Sequence, residues 1–131
     1  MIRPLETKLT ALKYIIALVC MFLALRVAKA ETLIKILPPS GKHAAPDKFA
    51  KRIATGLMLA HRRAPFATCL PQAMLARLLL GRRGYHAAIH IGVKMEHGEM
   101  AAHAWTISGE TIVSGGPKDA VSQFKQIKIL D

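Results

Sequence analysis

Two residues carry the chemistry that this sequence most clearly offers, a cysteine at a predicted helix start and a histidine on a predicted strand. Cys69 lies in "ATCLPQAMLARLLLG", where Thr68 fits the N-cap of a helix and Pro71 fits its first turn. Unpaired backbone N–H groups and the positive end of the helix dipole stabilise a thiolate there. Cys69 is therefore a candidate nucleophile. The alternative for a free cysteine is a small buried side chain.

A thiol nucleophile needs a general base, and the sequence contains six histidines. His43 and His61 lie in polar or charged surroundings and are expected to be solvated, and His97 lies in a predicted turn. His103 differs because "AAHAW" surrounds it with small residues that leave room for a substrate or for the facing helix. Side chains two apart share a strand face, so Trp105 is predicted to line the same site. His103 is thus the candidate base, against the alternative of a core histidine.

The whole chain limits what can surround such a pair. Its 131 residues suit a single domain, with a helical region over residues 1–66 and the cysteine helix plus a sheet over residues 67–131. The net charge of +11 favours an acidic partner. Nucleic acid is not favoured because aromatic residues make up only 5% and no zinc-ligand spacing occurs. Neither a cofactor nor a metal is expected, and Cys20 and Cys69 are interpreted as free thiols in a reducing compartment.

The first thirty residues allow three interpretations. A basic start, the apolar run "YIIALVCMFLAL" and the final "AKA" resemble an export signal with cleavage after Ala30. Glu6, Arg26 and the apolar "TLIKIL" that follows favour instead a structural helix that continues past this point. A helix lying on a membrane through residues 14–37 is the third, less favoured interpretation.

The remaining pattern predicts helices followed by strands. Apolar residues recur at spacings of three and four in "DKFAKRIATGLMLAHRRAPF", which predicts a helix capped by Asp47, and the cysteine helix should end at Gly81 or Gly84. Strands are predicted for "YHAAIHIGVKM", "MAAHAWTI" and "ETIVSG", with turns at "EHGE" and "SG", and a short edge strand for "FKQIKIL". The fold class is therefore α+β, with N-terminal helices packed on a small antiparallel sheet.

Residues 67–116 resemble a known family. The cysteine helix start "CLPQA" and the strand "AHAW" are together similar to the stand-alone transglutaminase-like cysteine peptidases of lasso-peptide biosynthesis, the protease half of the lasso B protein. The resemblance implies a papain-like core in which Cys69 attacks the bond between leader and core peptide while His103 activates the thiol. It also implies Gln72 as a possible oxyanion donor, although Gln72 could instead hold neighbouring backbone.

The same resemblance implies a cellular setting. Members of the family act in the cytoplasm on a precursor peptide, together with a small leader-binding protein of the RiPP recognition element (PqqD-like) type. An ATP-dependent macrolactam synthetase then closes the ring of the released core peptide. A cytoplasmic location argues against the export signal.

The sequence departs from the family at the residue that should orient the histidine. The family places an Asp on the strand after the histidine. If Ser108 and Gly109 form the hairpin turn, Ser114 lies opposite His103, where no acid is available. The alternatives are Ser114, a backbone carbonyl, or Asp119 if the following loop folds back.

Three functions remain open at this point. The leading hypothesis is a leader peptidase with a Cys-His pair and an uncertain third residue. The second is a non-catalytic relative that holds the precursor or a partner, which the missing acid favours. The third is an exported thiol hydrolase, which requires cleavage after Ala30.

Overall fold

The computed structural model describes residues 4–130 and confirms the predicted α+β class. Helices precede the sheet along the chain, as the sequence pattern indicates. The helices are α1 (Pro4–Val27), α2 (Ala30–Ile36), α3 (Asp47–Arg63), α4 (Cys69–Gly81) and α5 (Lys118–Val121). The strands are β1 (Ala88–Glu96), β2 (Glu99–Ser108), β3 (Thr111–Ser114) and β4 (Lys125–Leu130).

Within the described residues the strands form one antiparallel sheet in the order β3-β2-β1-β4. β1 and β2 are joined by a two-residue turn at His97 and Gly98. Both residues have positive φ (52° and 79°), as a type I′ hairpin turn requires. This turn was predicted correctly. β4 pairs with β1 at the edge of the sheet, which confirms the predicted edge strand.

α4 lies between the sheet and the other helices. Ala73 and Met74 pack on Ile89 and Ala104 of the sheet, and the Thr106 hydroxyl donates a hydrogen bond of 2.8 Å to the carbonyl of Ala73. The opposite side of α4 packs on α1 and α3, where its contributions to the core are Leu75, Ala76 and Leu80. The helix is therefore enclosed along most of its length, and its position relative to the sheet is determined on both sides.

α1 is a helix of the folded core. Leu18 is fully buried and Met21 is 8% exposed, so α1 contributes to both hydrophobic clusters of the protein. The Tyr14 ring lies against Gly56 of α3, and a Cβ on Gly56 would lie 2.5 Å from that ring. Cleavage after Ala30, which the export hypothesis requires, would remove these contacts.

The other side of α1 remains apolar and uncovered. Its exposed side chains recur every three or four residues and include Leu9, Leu12, Ile16, Leu23 and Val27. By length and composition alone, the stretch Lys8–Val27 could also cross a membrane. A helix that is apolar all round and packed on one side only is unusual for a soluble surface.

Two helix boundaries differ from the sequence prediction. The predicted continuous N-terminal helix is interrupted at Ala28 and Lys29, after which α2 begins at Ala30. Pro46 occupies the N-cap of α3, and Asp47 is the first helical residue rather than the cap. In the first turn the negative charge of Asp47 still stabilises the N-terminus of the helix, because it interacts favourably with the helix dipole.

The packing of α1 predicts unequal effects of two leucines in the same helix. We expect Leu18→Ala to lower the free energy of unfolding by about 2–5 kcal/mol, because it leaves a cavity in the core. Leu23→Ala, at a side chain that is 56% exposed, should change it by less than about 0.5 kcal/mol. Urea unfolding followed by circular dichroism measures both. Equal, small effects would contradict the assignment of α1 to the core.

Candidate active site

Cys69 is the first residue of α4, directly after the N-cap residue Thr68. The position was predicted, although the Thr68 side chain makes no capping hydrogen bond. Backbone N–H groups of a first helical turn have no partner within the helix, and they point toward the thiol and anything bound to it. Cys69 is a free thiol of intermediate exposure, whereas Cys20 is exposed on α1.

A cleft of about 620 Å³ opens beside this helix start. Cys69 and His103 both line it, so the fold brings the two predicted residues to one site. The end of α3 forms one wall, and the segment from Ile112 to Gly116 forms another. The cleft is open to solvent and has room for a peptide segment.

His103 reaches the cleft at an open edge of β2. β3 pairs only with the last part of β2, so His103 has no β3 residue opposite it. Its ring packs against Trp105 and Phe124, with centroid distances of 5.9 and 5.1 Å. Trp105 is itself buried and is not among the residues that line the cleft. It supports the imidazole from the strand rather than contacting the cleft.

A backbone carbonyl orients the imidazole. His103 Nε2 lies 2.7 Å from the carbonyl oxygen of Gly115, and only an N–H at Nε2 can bond to that oxygen. In the neutral ring this places the lone pair on Nδ1, which is then available to accept a proton. No hydrogen bond joins Cys69 to His103 among the described residues, and such contacts commonly tighten only when substrate binds.

The predicted register around Ser114 is wrong. Ser108 pairs with Thr111, so the turn consists of Gly109 and Glu110, and a bulge follows. Ser114 consequently pairs with Thr106 rather than lying opposite His103. Its hydroxyl is buried and has no hydrogen-bond partner within residues 4–130.

Asp119, the other predicted orienting residue, is exposed in the short helix α5. It does not line the cleft, and no hydrogen bond connects its carboxylate to His103 in the described part of the chain. The acceptor that His103 uses is therefore the backbone carbonyl, one of the alternatives weighed from the sequence.

Gly115 can hold this carbonyl in place because it is glycine. Its φ is +84°, a conformation that other residues adopt only with strain. A Cβ at this position would lie 3.0 Å from His103 Nε2 and 2.7 Å from the Cβ of Trp105. Any side chain here would push on the imidazole itself.

Gln72 lines the cleft, but its amide nitrogen bonds to the backbone of the turn before Cys69. Its nitrogen donates to the carbonyl of Thr68 at 3.0 Å and lies 3.2 Å from the carbonyl of Ala67. These contacts occupy its N–H groups with backbone, as the alternative interpretation predicted. Pro71 has no N–H, and the Gln72 N–H donates to the Thr68 carbonyl. The first-turn donors that remain for an oxyanion are therefore the backbone N–H groups of Cys69 and Leu70.

His61 is a member of the site that sequence reasoning missed. It was interpreted as solvated, yet it lines the cleft, and its Nδ1 lies 3.2 Å from both the Ala67 carbonyl and the Gln72 amide nitrogen. Ile53, Leu57 and His61 share a spacing of four, which places His61 on the inward side of α3. This spacing was the available signal.

Within the described residues, no group of three or more His, Cys, Asp or Glu side chains is placed to hold a metal ion. What the arrangement can perform is thiol chemistry, with His103 as the proton acceptor and helix N–H groups as oxyanion donors.

The two cysteines allow an internally controlled test of this chemistry. We expect His103→Ala to slow alkylation of Cys69 by iodoacetamide at neutral pH by about tenfold, because the imidazole no longer assists loss of the thiol proton. Alkylation of Cys20 should not change. Peptide mass mapping over time measures both rates in one sample. An unchanged Cys69 rate would show that His103 does not act on this thiol.

Comparison with known proteins agrees with this architecture. No curated protein and no solved structure matches the chain significantly. A family model described as the transglutaminase-like superfamily matches residues 14–128, and this range includes most of α1, the cysteine helix and all of the sheet except the last two residues of β4. The match covers far more than half of the chain. The chain therefore belongs to the transglutaminase-like superfamily.

Proposed function

We propose that this protein is a cysteine peptidase that removes the leader peptide from a lasso-type precursor before ring closure. The observation that carries the proposal is the single cleft that contains both Cys69 and an imidazole oriented through the Gly115 carbonyl. Membership of a superfamily that includes cysteine peptidase-type enzymes supports the reaction class. The resemblance of the "CLPQA" and "AHAW" motifs supports the substrate.

The proposed reaction begins with transfer of the Cys69 thiol proton to Nδ1 of His103. Sγ attacks the scissile carbonyl carbon, and the resulting oxyanion accepts hydrogen bonds from the first-turn N–H groups of α4. The C–N bond then breaks as His103 gives its proton to the leaving amine. Water attacks the thioester, His103 accepts a proton from it, and the Cys69 thiol is released in its original form.

The Gly115 carbonyl performs part of the work of the missing acid. It selects the tautomer that leaves Nδ1 free, and in a Ser-His-Asp triad the wrong tautomer costs about 10⁴-fold in rate. As a neutral acceptor it stabilises the imidazolium less than a carboxylate would. The arrangement therefore supports catalysis, at a lower rate than a complete triad.

The proposed setting is the cytoplasm, with a small leader-binding protein that presents the precursor. The cleft is wide and open to solvent, which fits an enzyme that relies on a partner for substrate recognition. The released core peptide would pass to the ATP-dependent macrolactam synthetase.

A second candidate function is a non-catalytic relative that holds the precursor or a partner. The observation in its favour is that no carboxylate contacts His103 and no hydrogen bond joins His103 to Cys69 in residues 4–130. The two functions predict opposite results in the same experiment.

The deciding experiment is mass spectrometry of the precursor after incubation with this protein and the leader-binding partner. We expect one cut by the native chain, loss of at least about 10³-fold in rate with Cys69→Ala, and a normal rate with Cys20→Ala, which changes an exposed thiol outside the cleft. A precursor that binds but is never cut would support the holding function instead.

The role of Gly115 has a matched control in Gly98. Both glycines have positive φ, +84° and +79°, so alanine should cost each about 1–2 kcal/mol of stability through backbone strain. Gly115→Ala should cost more than Gly98→Ala, because its Cβ would also lie 2.8 Å from the Ala104 carbonyl oxygen. Only at Gly115 does the new Cβ reach His103, whereas no atom lies within 4 Å of it at Gly98. We expect Gly115→Ala to lower the cleavage rate of folded protein at least about tenfold. Equal rates in the two variants would contradict the carbonyl's role.

The exposed position of Asp119 predicts that it is dispensable. We expect Asp119→Asn to change the cleavage rate by less than about twofold, because its carboxylate lies outside the cleft. In a triad, loss of the orienting acid costs about 10⁴-fold. A loss of that size, measured in the same cleavage assay, would restore Asp119 as the third residue.

A further inference from the structure

A second cleft, of about 350 Å³, lies where α1, α3 and the end of α4 meet. Its rim carries four basic side chains, and its floor includes two aromatic rings, Tyr14 and Phe49. The basic residues are Lys13, Arg52, Arg82 and Arg83. We call it the basic cleft.

The basic cleft is separate from the cleft that contains Cys69 and His103, which we call the catalytic cleft. Arg82 and Arg83 follow the carboxyl end of α4, whereas Cys69 begins this helix of 13 residues, about 20 Å away. The two clefts share no lining residue. A ligand in the basic cleft therefore need not contact the reacting thiol.

No acidic side chain neutralises the cleft among the residues whose side chains the structure describes. None of its lining residues is Asp or Glu, and the described ion pairs, Lys94 with Glu96 and Lys128 with Glu31, lie elsewhere. Four like charges around one concavity repel one another and raise the local potential for an anion. A bound carboxylate would relieve that repulsion.

The floor of the basic cleft also offers an apolar, aromatic surface to a ligand. The Arg83 guanidinium lies 5.3 Å from the centre of the Phe49 ring, so it is held over an aromatic surface. Tyr14 is partly buried beside Arg52, and burial raises the pKa of its hydroxyl, while the Arg52 charge opposes this effect. The hydroxyl therefore stays a neutral hydrogen-bond donor and acceptor at the edge of an apolar floor.

We propose that the basic cleft binds an acidic peptide segment, in which carboxylates meet the arginines and an apolar side chain packs on Phe49 and Tyr14. A cleft of this size accepts a few side chains, whereas nucleic acid is bound through many phosphate contacts along an extended basic surface. This proposal does not depend on peptidase activity, since the site lies outside the catalytic cleft.

The sequence provides a matched control for the test. Arg62 and Arg63 form a second arginine pair, exposed at the end of α3 and outside the basic cleft. Reversing either pair changes the net charge by the same amount, so a difference between the two variants reports location rather than overall charge.

The experiment is fluorescence anisotropy of the full chain with a short fluorescein-labelled peptide in which glutamate alternates with leucine. We expect binding that weakens as salt is raised and falls at least about tenfold in the Arg82→Glu, Arg83→Glu variant. The Arg62→Glu, Arg63→Glu variant should lose less than about threefold through general charge alone. Replacing glutamate by glutamine in the peptide should abolish binding.

Several results would overturn the proposal. Equal losses in the two arginine variants would indicate non-specific attraction to a basic protein. Stronger competition by anionic lipid vesicles or single-stranded DNA than by unlabelled peptide would assign the site to another ligand. To exclude misfolding, the Arg82→Lys, Arg83→Lys variant should retain most of the affinity, and loss of binding despite its conserved charge and an unchanged circular dichroism spectrum would contradict a charge-based site.

Discussion

The enclosure of α4 is the constraint on which the rest of the structure depends. Its residues are buried against the sheet on one side and against α1 and α3 on the other. A helix packed in this way cannot slide or rotate without opening both hydrophobic clusters, since protein cores are close-packed. Residues 73–77 in its middle are fully buried, and the thiol lies at one end of the helix while the arginine pair follows the other.

This arrangement explains how an apolar helix can support chemistry at all. The buried middle fixes the position of the helix, and the first turn provides backbone N–H groups that have no hydrogen-bond partner within the helix. One wall of the cleft is formed by the end of the short strand β3 and by the two glycines that follow it. Because β3 ends at Ser114, the following backbone is free to approach the histidine.

Much of the fold could be predicted from the sequence because its elements are strongly periodic. α3, α4, β1 and β2 follow from apolar spacing and from the "EHGE" turn. The turn between β2 and β3 could not be predicted, since both Ser108-Gly109 and Gly109-Glu110 place a glycine in a two-residue turn. A β-bulge does not change the alternation of apolar and polar residues in the sequence. The prediction that Ser114 lies opposite His103 was therefore wrong.

The candidate site likewise contains residues that could be predicted from the sequence and contacts that could not. Cys69 and His103 were predicted from local context, and the fold places both in one cleft. Long-range geometry was beyond the sequence, because a main-chain carbonyl from Gly115 has no signature in residue types. The two similar arginine pairs show this most clearly, since one ends α3, the other follows α4, and only the second lines a cleft.

A backbone carbonyl as the partner of His103 has a consequence for how this site responds to acid. A carboxylate in that place would itself become protonated at low pH and lose its acceptor strength, whereas an amide carbonyl does not ionise in the range where proteins stay folded. Acidification therefore leaves the acceptor of the orienting contact unchanged. A side-chain substitution at Gly115 cannot tune the contact chemically either, because the acceptor belongs to the main chain.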